Sequence, residues 1–72
     1  GNIMSKTLDF KAFCFEAYKS YHKLKGRETM DLFKKYNVFH YLTTCYDVLH
    51  TTGREYIIED IDIYIKARQK TA

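Results

Sequence analysis

The side chains of this 72-residue sequence that could bind a metal or act as nucleophiles are His22, His40, His50, Cys14 and Cys45. A zinc site wants such ligands in pairs at short, fixed spacing, CxxC or HExxH being examples. None of the five stands in such a pair, so the expectation is no metal site. Nucleophilic catalysis wants a thiol or hydroxyl beside a base, with an oxyanion donor close by. Cys45 could meet His22 or His50 only through the fold, and no Gly-rich loop or nucleophile elbow completes a site. Glu59, Asp60 and Asp62 could attract a cation, but successive acids on a helix lack the loop geometry that Ca²⁺ takes. They read as solvated acids matched to a helix dipole. The expectation is a protein that is not an enzyme and needs no cofactor.

The remaining polar chemistry is electrostatic. The formal charge is +3 and unevenly spread. Residues 1–36 carry eight Lys/Arg against four Asp/Glu, and residues 37–72 carry four against five. Lys19, Lys23, Lys25, Arg27, Lys34 and Lys35 bracket one turn and could attract nucleic acid or an acidic partner; the plainer reading is a solvated surface. The two helices after that turn have the spacing of a helix-turn-helix. A reading helix needs Arg, Lys, Asn or Gln at the groove, yet Val38 to Gly53 contains none, and Phe33 stands where the tight turn wants a small residue. The helix pair therefore reads as structural.

Four helices must position these groups. In the first, Phe10, Phe13, Cys14, Ala17, Tyr18, Tyr21 and Leu24 recur at helical spacing, a stripe about 140° wide. It starts at a Ser5 or Thr7 cap, with Asp9 in its first turn, and runs to about Lys23, where Gly26 is the expected left-handed terminator. The second covers about Arg27 to Tyr36, with Leu32, Phe33 and Tyr36 inward, Met30 at the margin and Asn37 left-handed after its end. The third covers about Val38 to His50 on Val38, Tyr41, Leu42, Cys45, Tyr46 and Leu49. The fourth covers about Glu55 to Gln69, with Ile57, Ile61, Tyr64, Ile65 and Arg68 on one face, Ile58 alongside, and an Asp62–Lys66 pair. The fold class is all-α, a compact domain with short connections.

Apolar residues make up 46% of the chain and aromatics 17%, too much for disorder and enough for a small core. No apolar run approaches the roughly 18–20 residues that span a bilayer, and no signal-peptide pattern stands at the start, so the expected location is cytoplasmic, away from membranes. Cys14 and Cys45 then read as reduced core thiols. Gly1, Asn2 and Ile3, ahead of Met4, read as a remnant outside the native chain, leaving residues 4–72 as a single helical domain.

One feature exceeds what a one-sided core requires. Leu8, Ala12 and Phe15 form a second apolar stripe nearly opposite the first; on the last helix Tyr56, Ile63 and Ala67 lie away from the isoleucines. Either both helices are wrapped within one fold or these stripes are interfaces, and contiguous apolar patches on small domains usually mark interfaces. The candidate protein-binding residues are therefore Leu8, Ala12, Phe15, Tyr56 and Ile63.

Several segments carry a resemblance: LDFKAFCFEAYK, DLFKKYNVFHYL and YDVLHTTGREYIIEDIDIYIKARQ. Together, from about Ser5 to Gln69, they resemble the small bacterial family of domains of unknown function numbered thirty-seven ninety-one. The most specific pieces are Leu32 to Tyr36, Tyr41-Leu42, Leu49 to Thr51 and Glu59 to Asp62. One departure is Lys25, where the family tends to place a Ser or similar cap. The resemblance implies a small protein encoded beside an ADP-ribosyltransferase-like protein, a toxin–antitoxin arrangement with the small protein as neutralising partner. It carries over no catalytic residue.

The sequence thus points to a non-catalytic protein-binding module, in the resemblance's terms an antitoxin-like partner, acting on another protein or by self-association. The alternative is a small nucleic-acid-binding regulator using the six basic residues around the first turn.

Overall fold

A computed structural model describes residues 3–71, with side chains from residue 6 to residue 70. It is all-α: α1 (Ile3–Tyr21), α2 (Gly26–Lys35), α3 (Val38–Thr44), α4 (Tyr46–Leu49) and α5 (Arg54–Thr71). The long first helix is the hub. It packs against α5 on one side and against α2 and α3 on the other, while α2 also packs on α3 and α3 on α4. Of residues 1–3, Ile3 opens α1, and Gly1 and Asn2 lie outside the described residues. Because α1 begins there, Thr7 is a buried residue inside the helix instead of its cap, and Asp9 falls beyond the first turn.

The buried face of α1 is rotated from the expected stripe. Phe10, Cys14, Ala17, Tyr18 and Thr7 are buried, whereas Phe13 and Tyr21, expected in the core, are 48% and 58% exposed. The reason is that α1 lies between two groups of helices. Its inward arc must face α5 and the α2–α3 pair together, which draws in Thr7 and half of Phe15 and leaves Phe13 at the edge. Tyr21, in the last turn, extends beyond the packed surfaces.

The end of α1 is closed by a lysine. Lys23, at φ 55, takes the left-handed position expected of Gly26. The Leu24 N–H donates to the Lys19 carbonyl at 2.9 Å and the Lys23 N–H to the Ser20 carbonyl at 3.3 Å, the paired bonds of a Schellman motif. Gly26 instead begins α2 without a positive φ. The N-cap of α2 is Lys25, whose side chain has no acceptor, so Glu28 supplies the capping by accepting the Lys25 N–H at 2.8 Å. Asn37 does adopt the left-handed conformation at φ 58, as its residue type predicts.

The third predicted helix is two helices. At Cys45 the backbone moves to φ −99 and ψ 14, ending α3 and starting the four-residue α4. Thr43 and Thr44, weak helix formers, precede the break, and the Thr43 hydroxyl donates to the Phe39 carbonyl at 3.0 Å. The break keeps Leu42 and Leu49 in one core, while the Tyr46 ring meets Phe10 edge-on at 5.3 Å.

The interior is completed by Phe33 and Thr29 from α2, Val38 and Leu42 from α3, Leu49 from α4, and Ile57, Ile58, Ile61 and Ile65 from α5. Each large apolar side chain so buried contributes about 1.5–3 kcal/mol. Thr29 is the polar member; its hydroxyl donates to the Lys25 carbonyl at 3.0 Å, so burial leaves no unpaired donor.

Candidate functional site

Where α1 passes α2 and the start of α3, their side chains leave an open apolar groove of about 330 Å³. Leu8, Ala12 and Phe15 of α1 form one wall, Met30 and Phe39 the other, and Lys11 and Glu16 stand at the rim. Its floor is aromatic. Phe15 meets Phe33 edge-on at 5.7 Å and stacks on Phe39 at 6.3 Å, and Phe33 meets Phe39 at 5.2 Å. Phe15 is thus half-buried: one face joins the core and the other lines the groove. Leu8 has no such role inside the fold and is 63% exposed.

Met30 and Phe39 were not among the interface candidates. Met30 reads from sequence as a core margin, and Phe39 lies off the α3 core stripe. Their signal was the same one that marked Leu8, an apolar residue outside its helix's buried face.

The other stripe lies elsewhere. Tyr56 and Ile63 are exposed on α5, at 57% and 60%, and Ala67 is exposed on the same face. The structure brings Leu8, Ala12 and Phe15 together with Met30 and Phe39, but not with Tyr56 and Ile63, which face away from the α5 core surface.

The six basic residues occupy both ends of α2. Lys19, Lys23, Lys25 and Arg27 gather at the α1–α2 turn, and Lys34 and Lys35 lie about two turns further along, roughly 12 Å away. Lys19 pairs with Glu16 at 3.4 Å, and Lys35 lies over the Tyr36 ring at 5.5 Å. Among the described residues the other four form no ion pair.

Asp60 and Asp62 of α5 are structural, which corrects their reading as solvated, while Glu59 is exposed as that reading expects. Asp62 accepts the Tyr18 hydroxyl at 2.7 Å and lies 3.0 Å from His22 Nε2, so its partners are Tyr18 of α1 and His22 just past the end of that helix instead of Lys66. Asp60 accepts the Tyr41 hydroxyl, and the Tyr41 ring stacks on Tyr64 at 4.1 Å. Both phenols are held protonated beyond their ordinary 10.0, by burial first and then by the carboxylate each one faces.

Both cysteines are free thiols, and burial pushes Cys14 up to about 12, the reverse of an activated nucleophile. His22 is engaged by Asp62, and His50 Nδ1 lies 2.7 Å from the Tyr46 carbonyl with its ring stacked on Tyr46. Among the described residues there is no cluster of three metal-ligating side chains, and no helix is long and apolar enough to cross a membrane.

No curated protein and no solved structure matches the chain. The family described as "Protein of unknown function (DUF3791)" matches residues 9–68, from the middle of α1 nearly to the end of α5. That stretch contains the groove's Phe15 and Phe39, the Tyr18–Asp62 tie and every helix in whole or large part, and the chain belongs to that family.

Proposed function

We propose that this protein is a non-catalytic protein-binding module that works through the apolar groove of α1. The observation that carries the reading is the groove itself: the apolar residues Leu8, Ala12, Phe15, Met30 and Phe39 line one open surface. An open apolar trough suits an amphipathic element of another chain better than a small molecule, which a site must enclose on most sides. The exposed Tyr56 and Ile63 on α5 offer a second contact face. In the form the family resemblance suggests, the module is the antitoxin-like partner of an ADP-ribosyltransferase-like toxin, and it acts in the cytoplasm.

The test is co-expression with such a toxin, followed by co-purification and growth measurement. Leu8→Asp at the groove, with Tyr56→Asp as the α5 counterpart, is expected to cost complex formation and neutralisation while helical content is kept. Full retention of both by the Leu8 and Tyr56 variants would sink the reading.

The second reading, binding of nucleic acid, has in its favour Lys23, Lys25, Arg27 and Lys34 around α2, which form no ion pair among the described residues. Phosphate contacts weaken steeply with salt, whereas apolar docking does not. Retardation of duplex DNA at 50 mM salt with release near 200 mM would put this reading ahead.

A further inference from the structure

Leu8, Ala12, Phe15 and Lys19 follow one another at steps of four, three and four residues, a seam of the kind that pairs helices. Lys11 and Glu16 flank this seam on opposite sides, five residues apart. When two such helices lie parallel about a two-fold axis, the flanking residue on one side of a helix meets the residue five positions further along on the other. Lys11 of each copy then faces Glu16 of the other, giving two ion pairs. An antiparallel pairing instead sets Lys11 near Lys11 and Glu16 near Glu16. The charges at the rim therefore complement a second copy of α1 in one direction only.

We infer that the occupant of the groove is a second copy of this chain, with the two α1 helices parallel. The inference rests on the protein-binding reading and names the partner of that site. Ala12 is the position where the helices come closest, since it is the smallest residue of the seam, and its flank lies toward Met30 and Phe39 of the opposite copy. Glu16 is free to receive the incoming lysine: its side chain is 67% exposed, and its bond to Lys19 at 3.4 Å uses one carboxylate oxygen. Lys19 within the seam favours a pair over larger assemblies, as polar residues at such positions do.

The test is sedimentation equilibrium of the whole chain from about 10 μM to 1 mM, with charge-reversal variants at Lys11 and Glu16. The wild type is expected to dimerise. Lys11→Glu and Glu16→Lys are each expected to weaken dimerisation roughly 10–100-fold, since each turns two attractive contacts into repulsive ones. An equimolar mixture of the two variants, and the double swap in one chain, are expected to restore it. Misfolded chains would not be rescued by mixing, so restoration separates the charge effect from damage to the fold. A monomer at every concentration would overturn the inference, as would a dimer indifferent to both reversals or variants that mixing does not rescue. A monomeric chain that still captures and neutralises a toxin through Leu8 would leave the protein-binding reading standing. Dimerisation with retention of toxin binding by Leu8→Asp would do the opposite to that toxin-directed reading.

Discussion

Tyr18 and Asp62 lie 44 residues apart in sequence and are joined by a 2.7 Å hydrogen bond from the phenol to the carboxylate. The same carboxylate holds His22 at 3.0 Å with its other oxygen, so one side chain of α5 fixes the last turns of α1. Hydrogen bonds to a charged group are the stronger kind, contributing about 1.5–3 kcal/mol. Tyr18→Phe is expected to lower the unfolding free energy by about 1–2 kcal/mol with its ring packing on Phe33 kept, measured as the shift of the urea midpoint. An unchanged midpoint would mean that the phenol is satisfied as well by water.

Stability is expected to fall on the alkaline side. Cys14, Tyr18 and Tyr41 all have raised values in the folded chain, so the unfolded chain loses these protons first. Their contribution is complete below pH 9 for Cys14 and below pH 10 for the tyrosines, and it is lost as pH rises beyond those values. For Cys14 the slope is about 1.4 kcal/mol per pH unit between pH 9 and about 12. Cys14→Ala should move the onset of the decline from near pH 9 to near pH 10 in urea titrations across that range, whatever the cavity does to stability at neutral pH.

Lys23→Gly is expected to stabilise the protein. A residue with a Cβ in the left-handed region costs about 1–2 kcal/mol, and glycine's extra freedom in the unfolded chain returns part of that gain. The net expectation is about 0.5–1 kcal/mol in chemical denaturation, with Lys23→Ala showing no such gain. Equal behaviour of the two variants would remove the left-handed corner as the cause.

The rotation of the α1 face makes two phenylalanines unequal. Phe10 is buried and in edge contact with Tyr46 at 5.3 Å, whereas Phe13 is 48% exposed. Phe10→Ala is expected to cost about 3–5 kcal/mol and Phe13→Ala below about 1. Similar losses from both would restore the symmetric stripe that spacing alone suggests.

The helical class and most of the core were legible because period 3.6 is a strong signal: Cys14, Ala17, Phe33, Leu42, Ile57, Ile61 and Ile65 all lie where their spacing puts them. What spacing does not contain is the direction from which neighbours arrive. Phe13 and Phe15 flank the same arc, and the placement of α2 and α3 decided that Phe15 would be drawn in. The left-handed corner at Lys23 was hidden because Gly26 stood three residues away as the better candidate by residue type. The roles of Asp60 and Asp62 depended on tyrosines 19 and 44 residues distant, so they looked like ordinary surface acids. The groove was half legible: Leu8, Ala12 and Phe15 are one helix's surplus, while Met30 and Phe39 enter only once the helices are packed.

The position of α5 against α1 also governs how the chain matures. A growing chain can lay α2 and α3 on α1 as soon as they are made, but the α5 side of α1 stays uncovered until the last isoleucines emerge. A chain stopped before Ile57 lacks Ile57, Ile58, Ile61 and Ile65 of the core. The cover on that side of α1 is thus supplied by a helix that starts more than thirty residues after α1 ends.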